Sequence, residues 1–181
     1  MNPLSLLRIL LVAPLSWLAW RRAWRALAVG TLAAVATDVL DGRLARYDAR
    51  FADARLDSLA DRCLTYAVCA WLLRLEPSLP RWQPRLLALA AALWAALMAT
   101  SWRRFGRVGA LHLASARLGG AVQALFALDA FWRGRPRPAL WRGALLTFIV
   151  AAAEEWAVHL LRRPQDEEAA IRSVWPLLRR R

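Results

Sequence analysis

The sequence predicts an all-α fold, an integral membrane bundle of six transmembrane helices, and three observations carry that expectation. Hydrophobic residues fill 59% of the 181 positions and gather into six long apolar runs. The 26 basic residues, every one an Arg, fall in short groups between those runs, as charged loops between membrane spans do. Eleven Trp read mostly as anchors at the membrane–water interface.

Each run supports one helix. Residues 3–20 hold one charge, Arg8, in 18 positions, close to the roughly 20 needed to cross about 30 Å of hydrocarbon. A retained span is expected here rather than a cleaved leader, since no basic residue precedes the run and no small-x-small pattern comes before Arg21. Further runs cover residues 23–40, 64–75, 86–102, 108–132 and 139–161. The third is long enough only if its helix begins near Ala54 and carries Asp57 and Asp61. Pro80 and Pro84 mark one turn, Pro136 and Pro138 another, Gly106 and Gly109 a third. The expected organisation is a membrane domain over residues 1–163 and a basic amphipathic tail over 164–181.

A net charge of +13 and a pI near 11.7 would ordinarily raise nucleic acid as a partner. The Arg are scattered along the chain rather than clustered, so no nucleic acid is expected and membrane lipids are. Two Cys and two His exclude a disulfide framework and a self-contained zinc site; Cys63 and Cys69 read as small core residues. Six spans place both termini on one side, with fourteen Arg there against ten opposite. That balance, together with the basic tail, favours termini in the cytoplasm and a location in the inner (cytoplasmic) membrane.

The acidic residues are not scattered. Six of the ten carboxylates outside the tail fall in the stretch DVLDGRLARYDARFADARLDSLAD, residues 38–61. On a continuing helix Asp38, Asp41, Gly42 and Ala45 share one face, at spacings i, i+3, i+4 and i+7. Asp57 and Asp61, four apart, share a face of the next helix. If those helices pack as antiparallel neighbours, four carboxylates converge and repel unless cations sit between them. Oxygen-only ligands suit hard Mg²⁺ or Mn²⁺, which in turn bind phosphate oxygens. The competing reading is a solvated loop balanced by Arg43, Arg46, Arg50, Arg55 and Arg62.

Asp38-x-x-Asp41-Gly42-x-x-Ala45-Arg46, followed by Asp57-x-x-x-Asp61, resembles the signature of the CDP-alcohol phosphotransferases, D-x-x-D-G-x-x-A-R then G-x-x-x-D-x-x-x-D. Seven of its eight fixed positions are present. Asn2-Pro3-Leu4-Ser5-Leu6-Leu7-Arg8 is similar to the family's opening P-N-x-L-T-x-x-R, and Arg117 to Gln123 stand where relatives carry K-x-K-T-x-x-Q. Length and span number are most like small bacterial phosphatidylglycerophosphate synthases.

The resemblance implies transfer of a phosphatidyl group from CDP-diacylglycerol to a small alcohol, with release of CMP. It implies a two-metal site of Mg²⁺ or Mn²⁺ on Asp38, Asp41, Asp57 and Asp61, with Asp61 also the general base. Gly42, Ala45 and Arg46 match the CDP-contacting positions; small residues admit the cytidine and a guanidinium clamps phosphate in two-point fashion. A phosphorylated acceptor, with glycerol 3-phosphate the best candidate, would engage Arg117, Arg103 and Arg104, since an Arg within apolar sequence faces a cavity or a partner. A homodimer and an active site facing the cytoplasm are also implied. Other acceptors, inositol phosphate or serine, stay open, as does a degenerate lipid-binding member without catalysis. A cation transporter fits less well, because its carboxylates belong near the bilayer midplane.

The chain departs from the family pattern at Asp53, which replaces the second glycine, and in a shorter connection from Arg46. Asp53 is expected to cap the helix bearing Asp57 and Asp61, out of the pocket. Gly119 and Gly120 stand where relatives have Lys and Thr. Glu154 and Glu155 lie within the sixth run, where Glu155 is placed to pair with His159 or either Glu with another helix or a second subunit.

Overall fold

The computed structural model describes residues 3–44, 54–105 and 113–161, with side chains for 6–37, 59–105 and 113–161. Among the described residues the chain is helical throughout, with no strand: α1 (Pro3–Trp20), α2 (Trp24–Leu44), α3 (Ala54–Leu75), α4 (Leu79–Trp82), α5 (Pro84–Phe105), α6 (Ala114–Arg133) and α7 (Pro138–Leu161). All but the four-residue α4 have 18 to 24 residues. At 1.5 Å per residue these reach about 27–36 Å, the scale of a hydrocarbon core. The third helix does begin at Ala54, so its first two turns carry Asp57 and Asp61.

Proline opens three helices, at Pro3, Pro84 and Pro138, where its missing N–H has no intrahelical partner to lose. The turn expected between Pro80 and Pro84 contains α4, and that between Pro136 and Pro138 leads straight into α7. The Gly106–Gly109 turn, the Asp53 cap and the tail from 164 to 181 lie outside the described residues.

Two helices, α5 and α7, are long and apolar enough on their own to cross a membrane. Shorter apolar stretches lie in α1 and α2, over Leu6–Trp20 and Trp24–Thr37. The other two long helices carry more charge, α3 with Arg55, Asp57, Asp61 and Arg62, and α6 with Arg117, Asp129 and Arg133. Large apolar side chains such as Leu10, Val29, Leu118 and Val150 are more than half exposed, a surface suited to lipid rather than water.

The chain forms two compact units: Met1–Leu79 with Phe126–Arg137, and Pro80–Leu125 with Pro138–Arg181. In the first, α1 packs against both α2 and α3. Trp71 Nε1 of α3 donates to Ser16 Oγ of α1 at 3.1 Å, and Arg74 Nη2 donates to the Trp20 carbonyl at 3.4 Å. Phe131, fully buried, stacks on Trp24 at 6.4 Å with 8° between the rings and tilts against Trp71 at the same distance. This one side chain therefore joins the end of α6 to α2 and α3.

The helix ends of this unit are closed in two ways. After α1, Arg22 N–H donates to the Ala19 carbonyl and Ala23 N–H to the Leu18 carbonyl, the paired bonds of a Schellman motif. The motif requires a left-handed residue, and Arg22 supplies it at φ 56°. A side chain in that region costs about 1–2 kcal/mol. After α6 the equivalent position is Gly134, at φ 68°, where that cost is absent.

In the second unit α5 packs along α7. Trp156 Nε1 donates to Thr100 Oγ1 at 3.0 Å, and Arg104 Nη1 donates to the carbonyls of His159 and Leu160 at 2.7 and 2.5 Å. A guanidinium on the last carbonyls of α7 satisfies acceptors that the helix itself leaves open. Glu155 and His159 are both buried, with His159 Nδ1 2.8 Å from the Glu155 carbonyl oxygen and its ring edge-on to Phe105. Gly119 is the close approach of α6 to α7: a Cβ there would sit 3.4 Å from the Thr147 carbonyl oxygen.

Phe131→Ala should lower stability by about 3–5 kcal/mol, as for other fully buried aromatics, and Phe131→Leu by clearly less. Thermal unfolding in detergent checks this, with equal losses for the two variants counting against the three-helix contact.

Candidate active site

The acidic stretch lies where α2 ends and α3 begins. Helix α2 is continuous through residue 44, so positions 38, 41 and 42 fall on one side of it by register. Positions 57 and 61 fall on one side of α3 in the same way. Ala45, Arg46 and Asp53 lie outside the described residues, and among the four signature aspartates the side chain of Asp61 alone is described.

The Asp61 side chain is half exposed, and its Oδ1 accepts from Arg8 Nη1 of α1 at 2.5 Å. The Arg8 side chain is completely buried. An Arg on an apolar helix is expensive to bury without a counter-charge, and a carboxylate at this distance provides one. Next to Asp61 on the chain, Ala60 is also fully buried and Leu59 exposed, so the helix turns its carboxylate toward the edge of the core. Antiparallel contact of α2 with α3 was the arrangement expected to gather the carboxylates. Among the described residues both helices pack against α1, and the side chains at 38, 41 and 57 on which that gathering depends lie outside them.

Arg8 is the site residue that pattern reading left without a role. Its signal was present: it is the one charge in an apolar run of 18 residues, and such residues mark functional sites by default.

The expected acceptor residues belong to the second unit. Arg104 is committed to the α7 carbonyls, and its guanidinium also lies 5.9 Å from the Phe105 ring centre. Arg103 and Arg117 are exposed, Arg103 in the last turn of α5 and Arg117 in the first turns of α6. Gly119 is buried against α7 while Gly120 faces open space, so only the first has a packing reason to lack a side chain.

Among the described residues no three His, Cys, Asp or Glu side chains gather as a metal site. Three of the four signature aspartates fall outside the side chains described, so the donor set is judged on chemistry. Carboxylates at two positions on each helix are hard oxygen donors and fit a hard divalent cation.

A family model described as CDP-alcohol phosphatidyltransferase matches residues 2–149, most of the chain. No curated protein and no solved structure matches it.

In a double-mutant cycle, Arg8→Met and Asp61→Asn should show a coupling of about 0.5–3 kcal/mol in stability. Arg8→Lys should restore part of it. Additive effects would mean that the two charges do not depend on each other.

Proposed function

The chain belongs to the CDP-alcohol phosphatidyltransferase family, and from that premise we propose that it transfers the phosphatidyl group of CDP-diacylglycerol to glycerol 3-phosphate, giving phosphatidylglycerophosphate and CMP. Phosphatidyl transfer from a CDP-linked alcohol in phospholipid synthesis is the family's activity. The acceptor and the residue roles are our reading. The observation that carries it is the Arg8–Asp61 pair, which fixes the last aspartate of the signature at the edge of the first unit.

In the proposed reaction Asp61 takes the proton of the acceptor hydroxyl. The acceptor oxygen forms a bond to the phosphorus of the phosphatidyl group, and the bond from that phosphorus to the CMP oxygen breaks. CMP leaves with the bonding pair. Arg8 acts as a positioning residue: by holding one carboxylate oxygen it sets the direction of the other. Asp38, Asp41, Asp57 and Asp61 would hold Mg²⁺ or Mn²⁺, which when bound neutralises the pyrophosphate charge. Gly42 and Ala45 leave room for the cytidine, and Arg46 contacts its phosphates. Arg117, with Arg103 and Arg104 nearby in the sequence, takes the phosphate of the acceptor.

The same reading places the protein in the inner (cytoplasmic) membrane with six spans, the active site toward the cytoplasm, and a second copy as partner. The exposed apolar faces of α1, α2, α6 and α7 support contact with lipid or with that second copy.

Purified protein supplied with CDP-diacylglycerol, Mg²⁺ or Mn²⁺ and glycerol 3-phosphate, inositol phosphate or serine should release CMP fastest with glycerol 3-phosphate. EDTA should abolish release, and Asp61→Asn should slow it by about 10²–10⁴-fold, the usual contribution of a general base. Full turnover in EDTA refutes the metal reading, and full turnover of Asp61→Asn the base.

Arg117→Ala should raise KM for glycerol 3-phosphate by roughly tenfold or more while leaving KM for the CDP-lipid nearly unchanged, as loss of one charged contact to one substrate does. An equal rise for both substrates would remove Arg117 from the acceptor site.

A further inference from the structure

Arg22 lies 14 positions after Arg8 and so about 21 Å further along the α1 axis, at the opposite end of the first unit. There an open surface cavity of about 670 Å³ lies between the α1–α2 turn and the end of α6. Its lining includes Arg22, Trp24, Arg25, Trp132, Arg133 and Gly134. Nothing in the proposed transfer reaction uses it.

The walls differ in charge. Asp129 accepts from Arg133 Nε at 2.9 Å and from Arg137 Nη2 at 2.8 Å, so one carboxylate is shared by two guanidinium groups and that wall keeps a net positive charge. Arg21 leans over the Trp17 ring at 5.2 Å. Neither the Arg22 nor the Arg25 side chain has an ion pair among the described residues, and both are exposed. The amino end of α2 opens into the same cavity through Arg25 and Ala26, adding partial positive charge.

The depth of the cavity is marked by aromatic side chains. Trp17, Trp20 and Trp132 are each more than half exposed around this end of the unit, and exposed Trp collects at the headgroup level of a bilayer. Two turns border the cavity, and both need a left-handed residue. At 134 the residue is Gly; at 22 it is Arg, which keeps a guanidinium on the cavity at the expense of backbone strain.

We propose that this cavity is a binding site for the phosphate headgroup of an anionic phospholipid, held by Arg22 and Arg25 with Arg133 behind, at the end of α1 remote from Asp61. The positive charge selects an anion, the two-point donor geometry of guanidinium suits a phosphate, and the surrounding Trp select one that is attached to a lipid. A site of this kind would hold a lipid as a structural partner and would work whichever alcohol the enzyme uses.

The test is native mass spectrometry of the full-length protein, released from detergent with dioleoylphosphatidylglycerol or dioleoylphosphatidylcholine added, alongside its melting temperature. The wild type should retain phosphatidylglycerol in preference to phosphatidylcholine. Arg22→Gly and Arg25→Gln should each retain it about fivefold more weakly, the factor that corresponds to roughly 1 kcal/mol per Arg near an anionic surface. Arg22→Gly should also melt at the same or a higher temperature, because glycine relieves the left-handed backbone. Lipid loss without destabilisation separates a binding role from a folding one, and because the active site is intact in every sample, phosphatidylglycerol held there cancels from the comparison. Equal retention by the wild type and both variants would overturn the proposal. So would a fall in melting temperature and lipid retention for Arg22→Gly with Arg25→Gln unaffected. Displacement of the lipid by an equal concentration of free glycerol 3-phosphate would overturn the assignment to a lipid headgroup.

Discussion

A guanidinium buried on an apolar helix sets the terms for the rest of the first unit. Arg8 is fully buried, and burial of a lone cation in so apolar a setting is not tolerated. Its partner, Asp61, belongs to α3, so the ion pair connects the first helix to the third. The further bonds of α1 with α3, through Ser16 with Trp71 and Trp20 with Arg74, then follow along a parallel pair of helices. Phe131 closes the far end by filling the space between α2, α3 and α6. Charge thus organises one end of the unit and aromatic packing the other.

The same ion pair connects fold to chemistry. A general base has to present one oxygen in a constant direction, and a buried, immobile guanidinium on its neighbour is a means of achieving this. Asp61 is half exposed, so the pair sits at the edge of the core, where the proposed acceptor would meet it. In the proposed reaction stability and reactivity are linked at one residue, so that a substitution at Arg8 would disturb both.

Two other Arg show how differently one residue type is used. Arg104 spends its donors on the carbonyl end of α7, an internal duty. Arg22 makes no ion pair among the described residues and occupies a backbone conformation that glycine would adopt more easily, beside a cavity with other cations. Composition alone counts both simply as positive charge, and only their surroundings separate a helix cap from a surface that attracts anions.

Much of this protein was legible in the sequence because the information is periodic and local. Apolar run lengths located the six long helices, and the length needed to cross a membrane put the beginning of the third near Ala54, with Asp57 and Asp61 inside it. The spacing of Asp38, Asp41, Asp57 and Asp61 carries the family's signature in the sequence itself. What the tertiary structure alone decided is which residues separated by fifty or more positions meet. Arg8 was visible as an anomaly, but no local spacing relates residue 8 to residue 61, and its partner depends on how α1 packs. The duty of Arg104 at α7 and the stacking of Phe131 on Trp24 are likewise products of packing. Helix periodicity is written in neighbouring residues, whereas the pairing of a buried charge is set by the global minimum of packing and electrostatic energy over the whole unit.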